Sequence, residues 1–328
     1  MEQLQPKTIK WGIIGLGKIA NKFAQDLSTV KHAKLYAVAS RDLEKAKSFA
    51  KQYSAPLFYN SYEELAKDLN IDAVYIATPH SFHKEHTILC LNHKKAVLCE
   101  KPFAMSLMEV EEMIAVAKAN NVLLMEAMWT YFLPHFQFVL NELKSKRCGN
   151  ITKLEADFGF KPIVDFNSRV FKKALGGGSL LDIGIYPIFA ALSTMGKPVD
   201  IDAKATFFEN GVDSSCDIIF NYNNGVKAFL KSSLLEKTPT EAIFHCEKGI
   251  IKINSRFQEP TTVATILNGK EEDFNFDAST NGYNFEILHF NELLRNYITE
   301  SPIMSFGFSS DLMKILDDVR QLINLDYE

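Results

Sequence analysis

The sequence predicts an α/β fold in two parts. A doubly wound parallel (Rossmann) sheet comes first, followed by an α+β domain with a large, mostly antiparallel open sheet. Three observations predict this. Short apolar strand patterns alternate with helical patterns through the first third, a glycine-bearing turn joins the first strand to the first helix, and beyond about Ile151 strand patterns follow one another across tight-turn residues. Strand–helix alternation requires parallel strands, because each crossover helix must lie on a sheet face, and right-handed crossovers then fix most of the topology.

In order, Lys10–Ile14 reads as a buried strand and KIANKFAQDL, after Gly17, has helical spacing. Leu35–Ala39 is a second strand and Leu43–Tyr53 a helix; Ala73–Ala77 is a third strand and His83–Asn92 a helix. Val97–Cys99 and Val122–Met125 are strands flanking an amphipathic helix at Leu107–Asn120. In the second half, strands are expected at Lys153–Phe160, Asp202–Phe208, Ser215–Tyr222, Val226–Leu234, Ala242–Cys246, Ile250–Ile253 and Thr261–Leu267. Asn223-Asn224-Gly225 and Glu247-Lys248-Gly249 supply hairpin turns. Helical patterns at Asn284–Thr299 and Ser309–Leu325 close the chain. The boundary falls near Ala127–Pro134, giving a dinucleotide-binding domain over 1–128 and a substrate and oligomerisation domain over 129–328, with the C-terminal helix able to pack back on the first.

The 328 residues suit two domains at ~150 residues each. Hydrophobic residues at 47% and charged residues at 23% are ordinary globular usage and argue against long disorder. A net charge of −4 gives no electrostatic reason to seek nucleic acid or an anionic membrane. No apolar run approaches the ~18–20 residues that span a bilayer, and MEQLQPKTIKWGIIG does not read as a secretory signal. The five cysteines are odd in number and form no CxxC pair, so neither a disulfide framework nor a zinc site is indicated, and the expected setting is the cytoplasm.

The turn Gly15-Leu16-Gly17-Lys18-Ile19-Ala20 is a GxGxxA placed where a dinucleotide site needs one, after a strand and opening a helix. Gly15 takes the tight turn, Gly17 admits a phosphate to the backbone, and the amides that begin the helix at Lys18 and Ile19 point at a pyrophosphate. At the end of the second strand an NAD site usually carries an acidic residue; here Ser40 and Arg41 stand there instead. Ser40 can donate to a 2′-phosphate and Arg41 offers it a planar charged fork, while Asp42 reads as the cap of the next helix. NADP is therefore the favoured cofactor, with NAD the alternative, and no metal is expected.

Three further segments could carry chemistry. Thr78, Pro79 and His83 follow the third strand, at the carboxyl edge where ligands bind. Glu100 and Lys101 end the next strand before Pro102, and Lys101 there supplies a compact positive charge. Finally, GGGSLLDIGIYP places Asp182 and Tyr186 four apart, on one helical face. A phenol titrates near ~10, so Tyr186 needs a neighbouring cation to exchange protons at neutral pH, and Lys101 is the candidate. The three glycines are read as freeing the backbone to approach a ligand. Trp129 and Phe160 are candidate walls of a substrate pocket.

GIIGLGKIA, ATPHSFH, CEKP and GGGSLLDIGIYP, in that order and spacing, resemble the Gfo/Idh/MocA oxidoreductases. Many members carry His where this chain has Tyr186; the tyrosine, with Glu126-Ala127-Met128-Trp129-Thr130, resembles a branch that is NADP-dependent and acts on dihydrodiols and some sugars. Tyr131 stands where that branch is expected to have Arg. The resemblance implies hydride transfer between nicotinamide C4 and a secondary alcohol or hemiacetal of a sugar, polyol or diol. Lys101, Asp182 and Tyr186 would be the catalytic residues, Tyr186 exchanging the proton, and Asp182 orienting substrate or Lys101. It also implies a homodimer formed through the second-domain sheet. An inositol- or aldose-type dehydrogenase and a non-catalytic NADP sensor are the alternatives.

Overall fold

A computed structural model describes residues 6–327; the start of the chain on which the secretory-signal reading rests, Met1–Gln5, lies outside the described residues. By compactness the chain divides into one unit of Met1–Trp129 with Ser279–Ser310 and another of Thr130–Ala278 with Asp311–Glu328.

The first unit is built on β1 (Ile9–Ile14), α1 (Lys18–Leu27), β2 (Ala33–Ala39), α2 (Leu43–Gln52), β3 (Leu57–Tyr59), α3 (Tyr62–Lys67), β4 (Ala73–Ile76), α4 (His83–Asn92), β5 (Ala96–Glu100), α5 (Leu107–Asn120) and β6 (Leu124–Ala127). Its six strands run parallel in the order β3-β2-β1-β4-β5-β6. β4, β5 and β6 are buried along their whole length, as strands covered by helices on both faces must be. The order reverses between β1 and β4, and a crevice at the carboxyl ends of such strands is where dinucleotides bind. β3 and α3 carry no sequence signal because three and six residues are too few to establish a period.

The second unit contains α6 (Pro134–Ser145), β7 (Ile151–Gly159), a π-helical turn at Leu180–Gly184 that runs into α7 (Ile185–Met195), then β8 (Asp200–Phe207), β9 (Asp213–Asn221), β10 (Lys227–Ser233), β11 (Ala242–Cys246), β12 (Gly249–Ile253), β13 (Val263–Leu267) and β14 (Lys270–Phe274). The eight strands lie in the order β14-β13-β12-β11-β7-β10-β9-β8. Only β7 and β10 pair in parallel, so the sheet is mostly antiparallel. One face is apolar and buried, through Leu154, Ala156, Ile218, Phe220, Leu230 and Phe244, and carries the helical stretch 180–195. The other face alternates to charged and half-buried side chains, with Lys153 bridging Glu155 and Lys252 bridging Glu241. The helical stretch 173–195 is long and apolar enough to cross a membrane by length and composition, which corrects the reading that no run approaches that length. Its 18-residue apolar window is 94% buried within the protein, and that apolar character is that of a core helix.

Two helices follow. α8 (Tyr283–Arg295) belongs to the first unit, and α9 (Phe306–Leu322) gives its first turn to the first unit and its remainder to the second. α8 has glycine at its N-cap and no side-chain cap of its own. Asp26, in the last turn of α1, does the capping: its carboxylate accepts from Tyr283 N at 2.8 Å, Asn281 N at 3.0 Å and Asn281 Nδ2 at 2.8 Å. On that side of the sheet Trp11 Nε1 donates to Asn291 Oδ1 at 3.1 Å, and the Trp11 and Phe290 rings lie 5.1 Å apart.

In the second unit Asp213 performs the corresponding service for the π-helical turn. Its Oδ2 accepts from Ser179 Oγ and from Leu180 N, both at 2.7 Å. Full burial raises its pKa to about 6 from an ordinary 3.8, although both bonds oppose the rise. The folded protein therefore holds this proton between pH 3.8 and 6 while the unfolded chain has released it. The contribution to stability is largest at the acid end and is lost as pH rises through 6. In Asp213→Asn the amide oxygen can still accept and nothing titrates. Its melting temperature relative to the parent should climb from about pH 4 to about pH 6.5 and then level off. A flat difference across that range would show that Asp213 does not titrate there.

Candidate active site

In the first unit β1 delivers Gly15 at φ +90, a value suited to glycine, and a Cβ there would stand 2.6 Å from the Ala77–Thr78 peptide at the end of β4. Gly15 thus lets two central strand ends approach. Around Gly17 a Cβ would meet nothing within 4 Å. The space is open, and α1 begins beside it with no side chain capping the amides of its first turn, which include Lys18 and Ile19. An uncapped helix N-terminus behind a bare backbone fits a pyrophosphate.

Ser40 is buried and its hydroxyl accepts from Asp42 N at 3.2 Å; Asp42 in turn caps α2, its Oδ1 accepting from Lys45 N at 3.1 Å. The acidic side chain is thereby committed to the helix, and Arg41 is exposed at this strand end. The Arg41 guanidinium lies 5.8 Å from the centre of the Phe82 ring, and a cleft of about 560 Å³ lined by Arg41, Asn60, Ser61, Tyr62, Glu85 and His86 opens next to it. His86, whose Nδ1 lies 3.1 Å from Thr78 Oγ1, is pushed down to about 4 by burial and by Arg41, so its ring is neutral at physiological pH.

Thr78 and Pro79 follow β4 directly. His83 is fully buried, and its Nδ1 and Nε2 lie 2.8 Å from the carbonyl oxygens of Pro102 and Thr78. Both ring nitrogens are thus occupied in bridging two strand-end turns. Beyond β5, the Lys101–Pro102 peptide is cis and Lys101 is half-buried. Glu100 accepts from the Tyr75 hydroxyl through Oε1 and from Lys101 N at 3.3 Å through Oε2, and Glu126 Oε1 accepts from Phe103 N at 3.1 Å. Trp129 is 4% exposed, its ring stacked on Tyr283 at 4.4 Å and 10°, so in this unit the indole is a packing element.

In the second unit Asp182 stands in the π-helical turn and Tyr186 in the first turn of α7. Asp182 pairs with Arg169, Nη2 to Oδ1 at 2.7 Å. Arg169 was not among the sequence candidates, because the loop 161–173 that holds it shows no periodicity. Gly177 and Gly178 explain how the loop arrives. A Cβ on Gly177 would stand 2.6 Å from Val170 O, and one on Gly178, at φ +121, would stand 1.9 Å from Asp213 Oδ1. These two glycines make room for the protein's own loop and carboxylate, which corrects the expectation that they clear space for a ligand. Tyr186 lies against Phe158, centroids 5.8 Å apart, and Phe160 continues that row at 6.2 Å. Together with Phe166, Phe171 and Ile183 these rings form an apolar cluster beside Asp182 and Tyr186. Among the described residues no group of three or more His, Cys, Asp or Glu could hold a metal ion.

Comparison with known proteins gives a consistent result. Residues 9–128 match the oxidoreductase family with an NAD-binding Rossmann fold, and residues 136–252 match the GFO/IDH/MocA C-terminal domain. The chain is 39% identical to a trans-1,2-dihydrobenzene-1,2-diol dehydrogenase of Xenopus tropicalis, over 97% of this chain and 99% of that one. With the protein of that name from Homo sapiens the identity is 34%, over 97% and 98%. A 3-ketoreductase from Actinomadura kijaniata, solved with NADP and TDP-benzene, superposes with a TM-score of 0.87 at 26% identity, covering 97% and 98%. An aldose-aldose oxidoreductase from Caulobacter crescentus shares the fold, with a TM-score of 0.89 at 23% identity and the same coverage. The chain belongs to the Gfo/Idh/MocA family of NAD(P)-dependent oxidoreductases.

Proposed function

We propose that this protein transfers a hydride between NADP and a secondary alcohol or hemiacetal carbon of a small diol, polyol or sugar. The observation that carries the reading is in the first unit. The uncapped start of α1 and the half-buried Lys101 both follow strands at the carboxyl edge of one parallel sheet. The first suits a pyrophosphate and the second a developing negative charge. The similarity to trans-1,2-dihydrobenzene-1,2-diol dehydrogenases supports a diol-like substrate, and the NADP in the 3-ketoreductase structure supports the cofactor.

The nicotinamide, when bound, supplies or accepts the hydride. The chain's residues do the rest. Tyr186 takes the substrate hydroxyl proton in oxidation and returns it in reduction. Lys101 stabilises the alkoxide charge that develops on the substrate oxygen. Asp182, held as one half of an ion pair with Arg169, orients the substrate. Phe158 and Phe160 offer an apolar wall to a ring face. Arg41 and Ser40 receive a 2′-phosphate. The protein acts as a homodimer through the uncovered face of the eight-stranded sheet. There Phe229 is 40% exposed and is paired across the strands with Ile219 and Glu155.

Three measurements test this. Tyr186→Phe should lower kcat by at least ~10²-fold with little change in NADP binding, the usual size of an acid–base contribution; unchanged turnover removes Tyr186 from the role. Arg41→Ala should weaken NADP at least ~10-fold more than NAD, because a charge-assisted bond to the 2′-phosphate is worth ~1.5–3 kcal/mol; equal losses for both dinucleotides would refute the preference. Phe229→Glu should shift sedimentation from dimer to monomer, and an unshifted profile would place the interface elsewhere.

A further inference from the structure

The carboxyl of Glu126 is an anomaly in the first unit. β6 pairs with β5 so that Glu126 lies opposite Cys99 and Ala127 opposite Glu100, one strand away from Lys101. Glu126 is 2% exposed. One oxygen accepts from Phe103 N, which fixes the turn just after Lys101 and Pro102; the other, Oε2, is buried with no hydrogen-bond partner. A neutral glutamine would serve the Phe103 amide equally well. An ionisable group with an unpaired oxygen in a dry interior is costly, so this position calls for a use of the charge itself. The cation whose charge favours ionisation of Glu126 is Lys101.

We propose that Glu126 is a positioning residue for Lys101: its carboxyl holds the turn that carries the ammonium, and its charge sets the electric field there. That Lys101 acts on substrate rests on the oxidoreductase reading; the coupling between the two side chains does not. The other groups that act on Glu126 are few. Glu100 opposes its ionisation, Lys101, the Ser309 hydroxyl and the Phe103 N–H favour it, and the Cys99 thiol on β5 feels its charge in turn. Burial dominates and pushes Glu126 up to about 7 from an ordinary 4.5. Below that pH the carboxyl is neutral and adds nothing to the field at Lys101. Above it, the added negative charge favours the protonated lysine while offsetting part of its field.

The test follows the Lys101 side chain directly. Full-length protein labelled with 13C at lysine Cε is titrated from pH 5 to pH 9, with Lys101→Met identifying the Lys101 signal. We expect that signal to show an inflection near pH 7 in the parent and none in Glu126→Gln, which keeps an acceptor for Phe103 N. In parallel, kcat with a diol or sugar substrate should show a limb near pH 7 that Glu126→Gln abolishes while KM for NADP changes less than ~2-fold, a pattern that loss of fold would not give. A Lys101 signal with no inflection near pH 7 in the parent, or an inflection that survives in Glu126→Gln, overturns the proposal. An inflection that follows Glu126 in a protein that oxidises none of the substrates upholds the coupling and refutes the oxidoreductase reading instead.

Discussion

The turn from Glu100 to Phe103 is held by polar groups that lie buried around it, and the constraint is the rule that buried polar atoms find partners. Tyr75 and the Lys101 amide occupy the two oxygens of Glu100, His83 bridges the carbonyls of Thr78 and Pro102, and Glu126 takes the Phe103 amide. Each of these bonds, if broken in the interior, would strand a polar group at a cost of ~1–3 kcal/mol. Lys101 therefore sits on a segment whose neighbours cannot shift independently. The role proposed for Lys101, meeting charge at one atom, needs this kind of support, since a long flexible side chain on a loose loop would average its field away.

The second unit solves the same problem with different parts. Asp182 and Tyr186 are carried by a buried helical stretch whose start is tied down by Asp213, and the loop bearing Arg169 is brought against that stretch by glycines that leave no room for a side chain. A π-helical turn is the less stable form of helix, and such turns are frequent at functional sites. Here it places Asp182 where a guanidinium can reach it while α7 continues regularly beyond. The ion pair is partly buried, with Asp182 the more enclosed partner. Its attraction is less screened by water than that of a fully exposed pair, which is worth ~0–1 kcal/mol, but desolvation of Asp182 offsets part of the gain, and removing Arg169 would leave Asp182 as a poorly solvated charge.

The sequence was most legible where chemistry and periodicity coincide. The glycine turn, the alternating strands of the first third and the helix at Leu107–Asn120 declare themselves through local spacing, and the match of Asp42 to its role as the α2 cap followed from its position alone. α3 and β3 are too short to carry a period, and α6 was hidden because its Pro134 start was read as part of a domain boundary. Arg169, Asp213 and the role of Glu126, which was read only as part of a family-like segment, were illegible for a different reason. Their meaning lies in partners 13, 34 and 23 residues away, and nothing in a single sequence distinguishes such a charge from one that faces solvent. The glycine run shows the converse error. Its spacing suggested a ligand, yet the neighbours it accommodates belong to the chain itself.

Asp26 has a consequence for how the chain comes into being. It crowns a helix that begins 257 residues later, and the Trp11 indole finds its acceptor 280 residues away, on that helix. The dinucleotide-binding unit, although its whole sheet is encoded by the first 129 residues, is not finished until Ser279–Ser310 has been made. At ~5–20 residues per second a ribosome needs roughly ten to thirty seconds to cover the interval. For that time the nascent sheet presents an aromatic flank without its cover. Vectorial synthesis thus leaves a waiting period that truncated versions ending before α8 would never leave, which marks the first half of this protein as an obligate client of its own tail.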